Sequence, residues 1–187
     1  MVLSKYHKKQ AEYLKERVQK AADFKEKELL EIFKIVKPAS RDDVLRIAVL
    51  GLGDKRLMLH HKRIFEKLLG MPADITTFDI IVEHLRGGEN VIKHDCTKPL
   101  PNPPYDITYG HVVLKFVEKD KQWNFIKNSY DALKIGGIAI HIMNEDDGNV
   151  LPIKEWKSKL QEEKIEYKEI VLEFGELMGL ALILIKK

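Results

Sequence analysis

Cys96 is the only cysteine in a chain of 187 residues, so neither a disulfide framework nor a cysteine zinc cluster holds this protein together. No apolar run approaches the roughly 20 residues needed to cross a bilayer, and the first residues lack the apolar core of a secretion signal. The expectation is a soluble, cytoplasmic protein with no membrane role. Repeats, low-complexity tracts and long linkers are also missing. Glutamine is scarce, while Lys and Glu lift the charged fraction to 33 %, above the roughly 25 % usual in soluble proteins. That balance leans towards a heat-adapted source. Metal-site spacing is missing too. His60 and His61 are neighbours on a helical pattern and point apart, and Glu83 and His84 have no third partner. No metal is expected.

What is present suffices for one domain with a full core and a small addition. The net charge of +3 is unevenly spread. Residues 1–41 hold eleven Lys and Arg against six Asp and Glu, a surplus of five, and the remainder carries a deficit of two. A basic arm of this kind can hold nucleic acid through phosphate contacts. The alternative is a solvated helix face laced with pairs such as Glu16–Lys20 and Asp23–Lys27, and no aromatic or arginine pattern accompanies the lysines.

The organising stretch is Arg46-Ile47-Ala48-Val49-Leu50-Gly51-Leu52-Gly53-Asp54. A short apolar run closed by glycines reads as a buried parallel strand. The amphipathic segment from Lys55 to Leu69 follows, with Asp54 placed to cap it and Gly70 to stop it. Without a Cβ at Gly51 and Gly53 a ligand can approach the backbone, and a helix amino terminus supplies free N–H groups.

Around it the chain alternates. Residues 3–37 are helical in pattern, with a break near Lys20–Ala22, and Phe24, Leu29, Ile32, Phe33 and Val36 share one face. Ser40-Arg41-Asp42-Asp43 resembles a capping box for one turn. This gives an amino-terminal helical segment, 1–40, before the main domain, 41–187. Further strands are predicted at Ile75–Asp79, Val91–Asp95, Tyr105–Val112, Ile138–Met143, Ile165–Phe174 and Leu180–Ile185, with helices over Lys119–Leu133 and Ile153–Lys164. Strands alternating with helices predict an α/β fold, a doubly wound and mostly parallel seven-stranded sheet. The last two strands are joined closely enough to form an antiparallel hairpin. Leu180 to Ile185 is apolar on both faces, so that strand belongs inside the sheet and not at its rim.

The ordered set resembles a class I, Rossmann-like S-adenosylmethionine-dependent methyltransferase over roughly Val44 to Lys187. The resemblance rests on Gly51-Leu52-Gly53, on Asp79 closing the second strand, and on Asp95 after the third with Leu100-Pro101 downstream. Tyr105–Leu114 and Leu133-Lys134-Ile135-Gly136-Gly137 complete it. It implies S-adenosylmethionine as cofactor. Gly51 and Gly53 would pass under its methionine part, and Asp79 would accept both ribose hydroxyls. Asp95 would meet the adenine amino group, with the Cys96 backbone N–H towards the ring. The exit of the fourth strand, Tyr109-Gly110-His111, would lie near the methyl group, with Tyr109 a cofactor contact and His111 a general base. These positions sit at the carboxyl ends of strands, where open α/β sheets bind ligands.

Three positions depart from the family pattern. Val49 replaces an acid two residues before the first glycine, Lys55 replaces a third glycine, and 28 residues separate Gly51 from Asp79. A degenerate binding or scaffold protein is therefore the competing expectation, and a nicotinamide dehydrogenase using Gly51, Gly53 and Asp79 is a third. Asn102-Pro103-Pro104-Tyr105 spells a tetrapeptide of nitrogen-methylating enzymes, but it precedes its strand and reads as a turn. Glu145-Asp146-Asp147 borders the expected site as an acidic loop able to hold a cation. The methyl acceptor, whether small molecule, RNA or protein, and the oligomeric state are not legible, because specificity lies in additions to the fold.

Overall fold

The computed structural model describes residues 8, 9, 12–40, 42–144, 148–174 and 177–187. One long helix, α1 (Lys15–Ile35), precedes the first strand, β1 (Leu45–Leu50). Then come α2 (Leu57–Leu69), β2 (Ala73–Asp79), β3 (Val91–Lys93) and β4 (Tyr105–His111). The chain continues through α3 (Lys119–Asp131), β5 (Leu133–Met143), α4 (Ile153–Glu162), β6 (Glu166–Phe174) and β7 (Leu177–Ile185). All seven strands form one sheet in the order β3-β2-β1-β4-β5-β7-β6. The first five are mutually parallel, and β7 runs antiparallel between β5 and β6. The interior position expected for the last strand is where the structure puts it.

Period-two alternation divides the core. Leu45, Ile47 and Val49 of β1 face α1 and α2, where Leu29, Ile32, Phe33, Ile64 and Phe65 are buried. Ala48 and Leu50 face the other way, towards Phe125 and Ile126 of α3 and Trp156 and Leu160 of α4. Helices on both faces explain the continuous apolar run of the central strands. The β2–β3 and β3–β4 connections carry no α-helix. The first holds a single 3-10 turn, Glu83–Leu85, and the second is the proline-rich loop. None of the helices among the described residues is long and apolar enough to cross a membrane.

Several boundaries differ from expectation, each for a local reason. α1 runs unbroken through Lys20–Ala22, and the interruption lies earlier, at Glu12–Leu14, where Leu14 is extended. Asp54 does not cap α2 directly. Its carboxylate accepts the Arg56 N–H at 2.9 Å, and α2 begins at Leu57, two residues later than expected. Gly70 stops α2 in the left-handed conformation at φ 70°, as expected. Ser40 Oγ accepts the Asp42 N–H, but residues 42–44 form bends with no helical turn. β5 starts at Leu133, five residues early, because Gly136 at φ 81° carries an irregularity in the pairing with β4. Asn102-Pro103-Pro104 is a turn at the amino end of β4, where the Asn102 and Pro104 carbonyls accept Arg46. Glu145-Asp146-Asp147 and the Gly175-Glu176 turn lie outside the described residues.

One buried polar pair dates to no expectation. His141 of β5 is fully buried beside Ser129 of α3, 2.8 Å from its hydroxyl. Ser129 donates to the Ile126 carbonyl, so it accepts from His141 Nε2–H and the ring is neutral. Burial holds this imidazole down at about 3, whereas the unfolded chain protonates it near 6.5. A depressed group of this kind stabilises the fold above the unfolded value and loses that contribution as pH falls. Stability is expected to drop between about pH 6.5 and 3, by up to about 1.4 kcal/mol per pH unit. Urea midpoints measured at pH 7.5, 5.5 and 4.5 check this, and His141→Gln should flatten the slope.

Candidate functional site

The carboxyl ends of β1, β2 and β4 point to one edge of the sheet, and two cavities open there on either side of the glycine turn. The larger, about 540 Å³, is lined by Gly51 to Gly53, Phe78 to Ile81, His94 to Thr97 and the segment from His111 to Val117. Its size suits a nucleoside-sized ligand. The smaller, about 270 Å³, lies between the same glycine turn, α1, α2 and β4. Gly51, Leu52, Gly53 and His111 border both.

The turn is held by short bonds. Gly51 sits at φ 77° and donates its N–H to the Phe78 carbonyl at 2.7 Å. A Cβ there would come within 2.7 Å of Val113 Cγ2, so the turn and the β4 exit leave room only for glycine. Asp79 is buried and already employed: Oδ2 accepts the Leu52 N–H and Oδ1 the Ile81 N–H, each at 2.9 Å. An ionised carboxylate has about four acceptor positions, so each oxygen keeps one for a ligand. His84 Nε2 stands 2.6 Å from the Leu52 carbonyl and braces the turn from behind.

Asp95 folds back on Thr97, whose N–H and hydroxyl both bond Oδ1, and these bonds hold its carboxyl below the usual range. Burial pushes the Cys96 thiol up to about 12, with Asp79 and Asp95 adding to the effect. At neutral pH it is a protonated, unreactive wall.

Residues 51, 53, 79, 95, 96 and 111 therefore converge on the larger cavity as the sequence suggested. Tyr109 does not. Its ring is fully buried and lines the smaller cavity, edge-on to His61 at 5.6 Å between centroids.

Sequence reasoning missed a group of polar residues behind His111. His111 Nε2 lies 2.8 Å from Glu28 Oε2, and Glu28, on α1, is only 3 % exposed. The carboxylate takes the Nε2–H, which leaves Nδ1 as the unprotonated nitrogen of a neutral ring. Burial and the nearby Lys25 keep His111 below its ordinary value against the pull of Glu28. Lys25, at 7 % exposure, is lowered to about 7 by burial, opposed by Glu28. One signal was available: Lys25 and Glu28 interrupt the apolar stripe Val18, Ala22, Leu29, Ile32 at helical spacing. A second miss is Arg56. Its guanidinium grips Asp54 and also donates to the Tyr13 carbonyl at 2.8 Å, tying the glycine turn to the segment ahead of α1. Lys55, by contrast, is exposed, and Val49 is packed in the core among the residues facing α1 and α2. Among the described residues there is no group of three potential metal ligands.

The strand order, with its reversed hairpin, and a cavity at the carboxyl ends of β1, β2 and β4 define a class. The fold is that of the class I S-adenosylmethionine-dependent methyltransferases. Among solved structures, a methyltransferase from Clostridium acetobutylicum described as S-adenosylmethionine-dependent aligns with a TM-score of 0.63 at 10 % identity, over 90 % of this chain and 94 % of its own. Magnesium protoporphyrin IX methyltransferase from Synechocystis, solved with bound S-adenosylmethionine, aligns at 0.60 and 11 % identity over 100 % of this chain and 86 % of its own. The CMeT domain of the citrinin polyketide synthase aligns at 0.58 and 15 % identity over 84 % of this chain, which spans only 50 % of that structure. No family model matches the sequence, and no curated protein does.

Proposed function

We propose that the chain is an S-adenosylmethionine-dependent methyltransferase that holds the cofactor in the larger cavity and deprotonates its acceptor at His111. The observation that carries this reading is the convergence of Gly51, Asp79, Asp95 and His111 on one cavity of nucleoside size. The residues present fit the cofactor. Gly51 presents bare backbone to the cavity, and Asp79 keeps an acceptor position on each oxygen for the ribose hydroxyls. Asp95 Oδ2 is left for the adenine amino group, and Phe78, Ile80 and Val113 supply apolar walls. When bound, the cofactor supplies a methyl group already activated on a sulfonium, so positioning accounts for much of the rate.

The chain's own part is to hold the acceptor and manage one proton. Neutral His111 takes that proton at Nδ1 while Nε2–H stays on Glu28, whose carboxylate steadies the imidazolium that forms. His111 borders both cavities, so an acceptor in the smaller one meets the cofactor pocket there. A binding protein without activity is the second reading, favoured by Val49, which puts buried hydrocarbon where the family has an acid.

The test is mass spectrometry of ligand carried through purification, followed by calorimetric titration with S-adenosylmethionine and S-adenosylhomocysteine. Dissociation constants in the micromolar range or tighter are expected, about −8 kcal/mol. Absence of binding up to millimolar concentration would overturn the reading.

A further inference from the structure

Three polar side chains, each at least nine-tenths buried, line the smaller cavity without a hydrogen-bond partner among the described residues. His61 of α2 is 2 % exposed and has neither ring nitrogen bonded. The Tyr109 hydroxyl of β4 is equally unpaired at 0 % exposure. Lys25 of α1 makes no ion pair or hydrogen bond, and its Nζ lies 5.7 Å from the centre of the Tyr109 ring. Buried polar groups are ordinarily satisfied, and each orphan costs about 1–3 kcal/mol. Three orphans from three different elements on one cavity point to a ligand that satisfies them.

All three can donate: an ammonium, a phenol and a neutral imidazole N–H. The carboxylates nearby are already spent, Glu28 on His111 and Asp54 on Arg56. Lys25 feels the Glu28 charge but is bonded to no carboxylate among the described residues, so it is the buried cation this wall offers. A zwitterion would set an ammonium against it, whereas an anion would not. We propose that the smaller cavity is the acceptor pocket and that the acceptor is a small molecule bearing a carboxylate, which Lys25, Tyr109 and His61 bind together. The acceptor role rests on the methyltransferase reading; the anion site itself does not.

Burial holds Lys25 near 7, and an anion beside it raises that value. The charged and titratable groups around it are Glu28 and Arg17 on its own helix, Asp54 in the glycine turn, His61 on α2, and Tyr109 and His111 on β4. Protein labelled with ¹³C at lysine Cε, with the Lys25 signal assigned by its loss in Lys25→Met, reports the titration directly. The probes are S-adenosylhomocysteine alone, then benzoate added to that complex.

The expected result is a Lys25 midpoint near 7 that S-adenosylhomocysteine leaves in place and benzoate raises by at least one pH unit. Lys25→Met should weaken benzoate at least tenfold and S-adenosylhomocysteine less than twofold. Tyr109→Phe, which keeps the ring, should weaken benzoate three- to tenfold and covers the case in which Lys25→Met does not fold. A midpoint raised by S-adenosylhomocysteine alone would overturn the proposal, since the carboxylate would then be the cofactor's own. So would a midpoint, or a Tyr109→Phe affinity, that benzoate leaves unmoved. If S-adenosylhomocysteine shows no binding by calorimetric titration, the methyltransferase reading has failed separately, and benzoate on the free protein decides the anion site.

Discussion

Replacing His111 with alanine is expected to lower turnover by a hundredfold or more while leaving S-adenosylhomocysteine affinity within about threefold. General-base contributions usually amount to roughly 10²–10⁴ in rate. The ring borders both cavities, and because the Glu28 carboxylate can only accept, Nε2 carries the proton of the neutral ring and Nδ1 is the basic nitrogen. Glu28 acts through His111 and is a positioning residue, so its variant needs a different readout. The carboxylate pulls the His111 titration upwards against burial. In Glu28→Gln that pull is gone, the imidazole becomes more acidic, and the acid limb of the rate profile moves to lower pH. The rate of S-adenosylhomocysteine formation, followed from pH 5 to 9, measures both effects. A His111→Ala enzyme within threefold of the wild type would remove the base from this position.

Asp79→Ala is expected to weaken S-adenosylhomocysteine about a hundredfold, or roughly 2.7 kcal/mol. Two ribose hydrogen bonds to a carboxylate are lost, each worth about 1.5–3 kcal/mol before partial compensation by water. The structure adds a second consequence. Leu52 and Ile81 N–H lose their acceptors, which costs about 1–3 kcal/mol apiece if both stay buried. A melting temperature lower by several degrees should therefore accompany the loss of affinity. Asp79→Asn keeps one carbonyl acceptor and should fall between the two in both measurements. Calorimetry on folded protein decides it. Unchanged affinity in Asp79→Ala would mean that the ribose is held elsewhere.

The framework was legible because each part announced itself locally. Arg46 to Asp54 combines a period-free apolar run with a glycine pair, and Leu180 to Ile185 is apolar on both faces. Those two patterns alone specify a buried central strand and an interior hairpin strand. Asp79 and Asp95 were legible for a similar reason: each is an acid at the end of a β-rich stretch. The cluster behind His111 was not, because Glu28 and His111 are 83 residues apart. No local rule says which turn of α1 crosses the end of β4. Tyr109 was placed on the cofactor side by the family resemblance, whereas deciding which face the odd residues of β4 take requires knowing where α1 and α2 pack. The start of α2 was missed by two residues because Asp54 binds Arg56 and makes a turn before the helix instead of capping it.

The position of β7 bears on how the protein reaches this structure. β5 pairs with β7 through Ile138↔Ile185 to Met143↔Leu180, across an intervening helix and strand. Until the hairpin inserts, β5 is an open edge whose residues from Ile138 to Met143 are apolar except for His141. Contacts between strands so far apart in sequence form slowly, since loop closure must precede any gain. During that interval the chain carries an uncovered, uncharged strand edge, the kind that pairs with other molecules. Folding yield should therefore fall steeply with protein concentration during refolding, even though the finished sheet shields β5 on both sides.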